Sequence, residues 1–209
     1  MTSGGTPAAL VIGGTGRIGR AVAALLAARG WDVAVHCHAA LTEARALAAA
    51  CGGRSFAVTA DLREEGAVRV VVHRVCDHFG RLDALVLCGR RRVLTPLEET
   101  TAGDLRTHFD VNVTGAFVAA QEAAATMAHQ ERGGTIVFVV DRDAEPAASG
   151  DVPHLTSRAA LAGLAGGLAA EFAARHPVVR VARVAAGEPA ATADAIVAEL
   201  SRVTPAGGA

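Results

Sequence analysis

The stretch "GGTGRIG", residues 13–19, decides the fold of this chain. It directly follows the apolar run "ALVI", which is typical of a buried strand, and it opens the helical stretch "RIGRAVAALLAARG". Gly13 permits a tight turn, Gly16 lets the backbone approach a pyrophosphate, and Gly19 permits close packing of helix against strand. The first turn of the helix favours a bound anion. The stretch therefore predicts a nucleotide-binding turn between a first strand and a first helix.

The rest of the chain continues the alternation of strand and helix. Five further apolar runs predict strands: "DVAVHC", "RSFAVTADL", "LDALVLC", "GTIVFVV" and "VVRVARV". Helical stretches separate them, including a long helical region from about Thr101 to Gln130. Strands alternating with helices pair in parallel through right-handed crossovers. We therefore predict an α/β fold: a doubly wound, Rossmann-like parallel sheet of about six strands in a single domain, with helices on both faces. The expected domain covers residues 8–202, between a flexible N-terminus (1–7) and a flexible tail (203–209).

Composition narrows the class of protein. Hydrophobic residues make up 51% of the 209 residues and charged ones 20%, which indicates a globular chain. The formal net charge is −1 and both signs are interspersed, which argues against a nucleic-acid binder. No apolar run reaches the roughly 18 residues of a membrane span, and the N-terminus does not resemble a signal peptide. The four cysteines are widely spaced, which favours reduced thiols in a cytoplasmic protein and no metal site.

Several stretches, taken in order, resemble the landmarks of the short-chain dehydrogenase/reductase (SDR) family. They are "VIGGTGRIGRAVA", "TADL", "FGRLDALVLCG", "FDVNVTGAF", "GGTIVFVV", "RAALAGLAGGLAAEFA" and "VRVARVAAG". Both their order and their spacing match, from residue 8 to about 187. "GGTGRIG" with "VAVHCH" also resembles the pteridine-reductase-like branch, and "GGTG" equally fits the extended branch. The resemblance implies a fold that binds a nicotinamide dinucleotide for hydride transfer.

The resemblance also implies a set of cofactor-binding residues. Asp61 matches the acidic residue that hydrogen-bonds adenine, and the usual Asn-Asn-Ala-Gly loop is here "LCGR", residues 87–90. An Arg at the place of Arg17 helps to hold the NADP phosphate. His36 and His38 stand where relatives keep an Asp for NAD or an Arg for NADP, and we interpret them as an unused rim. NADP(H) is thus the expected cofactor, NAD(H) the second choice, and a chain without cofactor the third. The predicted cofactor-binding residues are Gly13, Thr15, Gly16, Arg17, Ile18, Gly19, Asp61, Leu62, Cys88 and Gly89.

The family's catalytic positions are altered. Asn112 matches the helix-bending Asn of the tetrad, but the Ser falls on Asp141, the Tyr on His154 and the Lys on Arg158. Arg158 would keep the ribose contact that the resemblance assigns to the Lys. Because this chain contains Arg and no Lys, an Arg at this position does not by itself indicate a changed function. His154 titrates near neutrality and would serve as an acid, whereas an ionised Asp141 would repel a developing alkoxide. The Ser assignment could shift to a neighbouring residue, but no shift restores a Tyr; the candidates are Ser149, Thr156 and Ser157.

Two interpretations of these changes stay open. Asp141 and His154 would form an acid/base pair for a non-redox dehydratase, isomerase or cyclase, or His154 would serve an atypical oxidoreductase. The plainer interpretation, which we favour, has His154 and Arg158 pointing at water from the start of a helix, and Asp141 simply ending a strand. Asn112 or Arg158 would bind a substrate oxygen in the first interpretation. Water-facing side chains would need no catalytic role.

Three arginines, Arg90, Arg91 and Arg92, follow the predicted fourth strand in "GRRRVL". The carboxyl ends of parallel strands form the ligand side of such a sheet. The three side chains would there hold a phosphate, a small-molecule carboxylate or an acidic carrier protein. A solvated loop is the interpretation that we favour.

The last helices suggest how the chain assembles. Gly163, Gly166 and Gly167 make one flank of a long helix unusually small, which suits close approach of another backbone. SDR proteins pair the matching helices across a dimer, so we expect a homodimer; a heterodimer with a complete SDR is the alternative. After Gly187 the resemblance implies a substrate-covering segment and a final strand. We expect the segment to be missing or reduced to one helix and the strand to be absent.

Three functions follow from these observations. The first, which we favour, is an SDR protein with a degenerate site that acts as a structural or regulatory partner and still binds NADP(H). The second is an atypical enzyme that uses His154, alone in a reductase or with Asp141 in a non-redox reaction. The third is a redox-state sensor whose nucleotide binding changes its affinity for a partner.

Overall fold

Six parallel strands form one sheet in the computed structural model, which describes residues 5–141 and 150–202. The order across the sheet is β3-β2-β1-β4-β5-β6. The strands are β1 (Ala8–Ile12), β2 (Asp32–Cys37), β3 (Phe56–Thr59), β4 (Ala84–Leu87), β5 (Gly134–Val140) and β6 (Val179–Ala185). The chain order reverses at β1, where the sheet continues to β2 on one side and to β4 on the other. Ligands of such sheets bind beyond the carboxyl ends of the strands at this point.

Helices cover both faces of the sheet. They are α1 (Arg17–Ala28), α2 (Leu41–Cys51), α3 (Glu65–Phe79), α4 (Ala102–Phe109), α5 (Gly115–Ala128), α6 (Val152–Arg175) and α7 (Pro189–Ser201). Leu10 and Ile12 of β1 enter a core that includes buried residues of α3, α5 and α6. Ala9 and Val11 enter a second core with α1, α2 and α7. Because alternate residues of one strand are buried on opposite faces, the strands read as continuous apolar runs. The predicted doubly wound α/β fold is confirmed.

The long helical region expected over residues 101–130 is interrupted. α4 begins at a capping box, in which the Thr101 hydroxyl accepts a hydrogen bond from the Asp104 backbone N–H. A π-helical segment, Asp110–Thr114, then joins α4 to α5. Asn112 lies within it and is buried, and its amide binds the main chain of the loop after β4. This interruption depends on a contact distant in sequence, which helical periodicity does not encode.

The segment after Gly187 forms α7, whose buried residues belong to the same core as α1. Three predicted features lie outside the described residues: most of the flexible N-terminus, the tail 203–209, and Ser149 as an alternative catalytic serine. Within residues 5–141 and 150–202, no helix is both long and apolar enough to cross a bilayer.

Candidate functional site

The glycine turn between β1 and α1 is closely packed. Gly13 has a φ of +75°, and a Cβ atom there would lie 2.5 Å from the Cα of Gly89 in the loop after β4. A Cβ at Gly19 would run into the carbonyl oxygen of Gly13. Gly16 is the N-cap of α1, whose first turn contains no acidic residue and receives no side-chain cap. The N–H groups of that turn therefore have no side-chain acceptor, which is the arrangement that suits a phosphate.

His36 holds this turn from the end of β2. Its Nδ1 accepts a hydrogen bond from the N–H of Gly13 (3.2 Å), and its Nε2 donates to the carbonyl of Ala60 (3.2 Å). The N–H of Gly14 donates to the His36 carbonyl (2.8 Å). Burial lowers the pKa of His36 to about 4, so the imidazole is neutral and keeps its acceptor nitrogen. The interpretation of His36 as an unused rim is wrong: it is a buried support of the turn. Its signal in the sequence is an imidazole within an otherwise apolar strand.

A cleft of about 970 Å³ opens at the carboxyl ends of the strands. Every predicted cofactor-binding residue lines it: Gly13, Thr15, Gly16, Arg17, Ile18, Gly19, Asp61, Leu62, Cys88 and Gly89. Burial raises the pKa of the Cys88 thiol to about 12, so this residue is a neutral thiol in the cleft wall. Glu188 and Pro189, at the start of α7, line the cleft as well. The predicted residues thus converge on one space large enough for a dinucleotide.

Asp61 lies in this cleft as an ionised carboxylate. The Nε of Arg63 is 3.0 and 2.9 Å from its two oxygens, and the Arg63 backbone N–H also donates to it (3.0 Å). These hydrogen bonds from Arg63 lower the pKa of Asp61 to about 2. The Nε2 of the exposed His38 is 3.5 Å away. A carboxylate held in this way is a hydrogen-bond acceptor, as the expected contact with adenine requires.

The structure brings Asp141, His154 and Arg158 together. The Nε and Nη2 of Arg158 donate to the two carboxylate oxygens of Asp141 (3.1 and 3.2 Å), and Nη2 also donates to the carbonyl of Val139 (2.5 Å). The Nε2 of His154 is 3.6 Å from the same carboxylate. His154 is 3% exposed and Arg158 is 4% exposed. The interpretation that both side chains point at water is therefore wrong. An ion pair with Asp141 holds Arg158 in the interior, and a hydrogen bond to the Arg91 carbonyl holds His154 there.

His154 is held as a neutral imidazole. Its Nδ1 donates to the carbonyl of Arg91 (2.9 Å), which leaves Nε2 unprotonated toward Asp141. Burial is the main cause that lowers the pKa of His154. Of the four residues at the tetrad positions, Arg158 lines the cleft, whereas Asn112, Asp141 and His154 are absent from its described wall. The imidazole is thus engaged with the protein rather than presented to a ligand.

Asn112, in the π-helical segment, forms hydrogen bonds with both main-chain groups of Arg91. Its Oδ1 accepts from the Arg91 N–H (2.6 Å) and its Nδ2 donates to the Arg91 carbonyl (3.1 Å). The same Nδ2 donates to the hydroxyl of Ser157 (2.8 Å), which in turn donates to the His154 carbonyl (2.8 Å). Ser157 is fully buried and Thr156 bonds to its own helix, so neither stands in the cleft wall in place of the missing serine. Asn112 and His154, which the resemblance places at catalytic positions, both bond to the loop residue Arg91.

The three arginines after β4 all line the cleft. Arg90 is exposed, as a solvated loop predicts. Arg92 instead pairs with the buried carboxylate of Asp151 (2.7 Å). Arg91 is partly buried, and its Nε has no hydrogen-bond partner. Arg92 is exposed as well, so the solvated-loop interpretation fails only for the partly buried Arg91. Nowhere in the described ranges do three or more His, Cys, Asp or Glu side chains assemble as metal ligands would.

Comparison with known proteins identifies the family of this chain. A family model described as short chain dehydrogenase matches residues 7–199. The chain is 33% identical to hydroxynaphthalene reductase arp2 of Aspergillus fumigatus over 167 residues, which are 78% of this chain and 60% of that protein. The match thus spans less than two thirds of that relative.

Two solved structures show the same architecture. A dehydrogenase/reductase from Sinorhizobium meliloti has a TM-score of 0.84 at 29% identity, covering 94% of this chain and 88% of its own. A metagenomic short-chain oxidoreductase in complex with NADP also has a TM-score of 0.84, at 25% identity, covering 96% and 92%. With this fold, this turn and this family match over nearly its whole length, the chain belongs to the short-chain dehydrogenase/reductase family of oxidoreductases.

Proposed function

We propose that this protein binds NADP(H) but is not an ordinary carbonyl reductase, and that it acts as a structural or regulatory partner. One observation carries the proposal: His154, at the position of the catalytic tyrosine, is buried and bonded to Arg91. It also lies outside the described cleft wall. A proton donor that does not reach the substrate contributes nothing to hydride transfer, and loss of general acid catalysis typically costs 10²–10⁴-fold in rate.

The cofactor half of the proposal is supported by the intact turn. The glycine turn would hold the pyrophosphate and the Asp61 carboxylate the adenine, as the family resemblance implies. Arg17 is exposed in the first turn of α1 and would hold the phosphate that distinguishes NADP from NAD. The solved relative with NADP has the same overall fold. NADP(H) is therefore proposed ahead of NAD(H); when bound it supplies a hydride.

A second function is favoured by the distance between His154 and Asp141. The 3.6 Å between Nε2 and the carboxylate would shorten to a hydrogen bond if the imidazole moved slightly and carried a proton on Nε2. The pair would then serve a dehydratase, isomerase or cyclase, or His154 alone would serve an NADP(H)-dependent oxidoreductase. Arg158 competes with the imidazole for the same carboxylate at 3.1 Å. We therefore place this enzyme second.

Replacement of His154 separates the two functions. His154→Asn keeps an N–H donor where Nδ1 stands, so the contact with Arg91 survives while the titratable group is lost. NADPH consumption and isomer formation are followed with a panel of aldehydes, ketones and hydroxy acids. The proposal predicts no turnover that depends on His154. Turnover by the wild type that disappears in a folded His154→Asn variant would establish the enzyme instead.

The assembly and location of the protein are also proposals. Gly163, Gly166 and Gly167 lie exposed along one flank of α6, with no atom of the described chain near the places where their Cβ atoms would be. We propose that α5 and α6 pair with a second copy, or with a complete SDR in a heterodimer. Analytical ultracentrifugation tests the homodimer, and a Gly166→Leu variant should dissociate it. A redox sensor would show a partner affinity that changes with NADPH. The four free thiols support a cytoplasmic location.

A further inference from the structure

Two guanidinium groups in the cleft wall have buried N–H groups without partners. They are the Nε of Arg91 and the Nη1 of Arg158. Both residues line the cleft. A buried donor that lacks a partner costs about 1–3 kcal/mol, and such groups normally meet a ligand, an ion or a water molecule. Two of them in one wall indicate an acceptor that arrives from outside the chain.

The main chain of Arg91 and the guanidinium group of Arg158 are both held by hydrogen bonds. The main chain of Arg91 is bound at its N–H and at its carbonyl by Asn112, and again at its carbonyl by His154. The Nε and Nη2 of Arg158 are bound to Asp141 and to the carbonyl of Val139. These contacts leave Nη1 as the remaining donor of Arg158. Asn112 and His154 therefore hold the main chain that carries the Arg91 side chain, and Asp141 and Val139 hold the Arg158 guanidinium.

The charges around this end of the cleft favour an anion. Four arginines and one carboxylate line the cleft on this side of β1: Arg90, Arg91, Arg92 and Arg158, with Glu188. Arg92 is paired with Asp151 and Arg158 with Asp141. Neither Arg90 nor Arg91 has a carboxylate within 4.0 Å anywhere in the described chain. Uncompensated guanidinium groups bind carboxylate and phosphate oxygens strongly.

We propose that the cleft binds the carboxylate or phosphate group of a second small molecule between Arg91 and Arg158, with Asn112 and His154 as positioning residues. The proposal rests on the proposed function, because it assigns the cofactor to the glycine turn and leaves this end for another ligand. It gives the ligand's chemical class: a small molecule with an anionic group. It also explains why Asn112 and His154 bond the loop rather than the cleft.

The position in the sheet separates this anion from the cofactor's adenosine phosphates. His38 and Asp61 follow β2 and β3, on one side of β1. Arg91 follows β4, and Arg158 bonds to the end of β5, on the other side. The glycine turn after β1 lies between them. The two cationic regions therefore face opposite ends of one bound dinucleotide.

Matched probes test the site by saturation-transfer difference NMR on the full chain. Butyrate and butyramide have the same hydrocarbon and differ in charge, and methyl phosphate tests the phosphate alternative. Each is titrated without cofactor and with NADPH. We expect butyrate or methyl phosphate to bind at least about fivefold more tightly than butyramide, because only an anion forms charge-assisted bonds to both guanidinium groups. The tighter of the two anions identifies the source of the charge.

Arginine variants locate the binding. Arg91→Gln leaves the main-chain contacts with Asn112 and His154 available and should weaken anion binding about tenfold. Arg158→Lys is the second variant, and it should weaken binding by removing Nη1. Arg29→Gln, at the exposed C-terminal end of α1, is the control and should change nothing.

Replacements of His154 test its positioning role. His154→Phe removes the donor to Arg91 and should weaken anion binding, whereas His154→Asn retains a donor and should restore it. NADPH affinity should stay unchanged in both variants, which a general loss of structure would not allow.

Several outcomes would overturn the proposal. Equal binding of butyrate and butyramide, or anion binding unchanged in Arg91→Gln, would leave the two N–H groups to ordinary water. Displacement of the probe by NADPH, with NADPH binding weakened in Arg91→Gln, would assign both arginines to the cofactor. Probe binding that persists while NADPH does not bind would support the anion site and overturn the cofactor proposal alone.

Discussion

The buried imidazole of His36 predicts how the stability of this protein depends on pH. In the folded chain Nδ1 must stay unprotonated, because it accepts the Gly13 N–H while Nε2 donates to Ala60. Burial is the main cause that lowers the pKa from 6.5 to about 4, with the charge of His38 adding to it. The unfolded chain takes up this proton near pH 6.5, well before the folded chain does.

The size of the effect follows from that difference. At about 1.4 kcal/mol for each pH unit, a pKa that is lower by about 2.5 in the folded state corresponds to about 3 kcal/mol. Because the folded pKa is the lower one, this stability is fully present above pH 6.5. It is lost progressively as the pH falls from 6.5 to 4. A loss of about 3 kcal/mol is large beside the 5–15 kcal/mol typical of a domain.

Urea unfolding of the wild type and of His36→Gln between pH 7.5 and 4 measures this contribution. Gln has an acceptor oxygen and a donor nitrogen but does not titrate, so it can replace both hydrogen bonds. The free energy of unfolding of the wild type should fall by about 3 kcal/mol more than that of the variant. His38→Gln, an exposed neighbour, is the control and should keep most of the wild-type slope. Parallel pH curves for the wild type and His36→Gln would refute the reasoning.

Two further predictions concern the turn and the cleft wall. Gly19→Ala should lower the free energy of unfolding by about 1–3 kcal/mol, because the new Cβ meets main-chain atoms of Gly13 and Gly14 that cannot move freely. Chemical denaturation measures this, and an unchanged midpoint would show that the turn is loosely packed. Cys88, with a thiol pKa of about 12, should react slowly with iodoacetamide at about pH 8 in the native protein and at an ordinary rate in urea. Mass spectrometry of the labelled peptides compares the two rates, and equal rates would contradict the burial of this thiol.

Much of the fold could be predicted from local patterns. The runs "DVAVHC" and "GTIVFVV" are observed as β2 and β5 with the bounds expected from sequence. Their apolar residues lack polar alternation because both faces of the sheet are covered. The glycine turn was equally readable, since spacing and context specify where the backbone must come close. All ten residues predicted for the cofactor line one cleft for this reason.

The altered catalytic positions could not be interpreted in the same way. The family resemblance predicted that Asp141, His154 and Arg158 share one site, and the three side chains do meet. Their orientation depends on contacts far apart in sequence, such as the bond between His154 and Arg91. A histidine at the start of a helix is predicted to face water unless the loop that covers it is known. The burial of His36 escaped prediction for the same reason, because a lone imidazole carries no sequence signal of its partners.

The arrangement suggests how a site of this family can change its use. Asn112 and His154 keep their places in the fold but support the main chain of Arg91. Arg158 keeps its place at the cleft and is fixed by Asp141. The net result is a wall that offers cationic donors in place of a hydroxyl proton donor. Such a wall favours binding of an anion over proton transfer to a carbonyl.

Calorimetric titration with NADPH and NADH tests whether this protein binds NADP(H) in preference to NAD(H). The titration is run on the wild type, on Arg17→Ala and on the control Arg29→Ala. We expect NADPH to bind at least about tenfold more tightly than NADH, a difference of about 1.4 kcal/mol in binding free energy. Arg17→Ala should remove this preference and Arg29→Ala should keep it. Two results would contradict NADP(H) binding as proposed. One is binding of neither cofactor at about 1 mM, which corresponds to a binding free energy weaker than about −4 kcal/mol. The other is equal affinities of the wild type for NADPH and NADH.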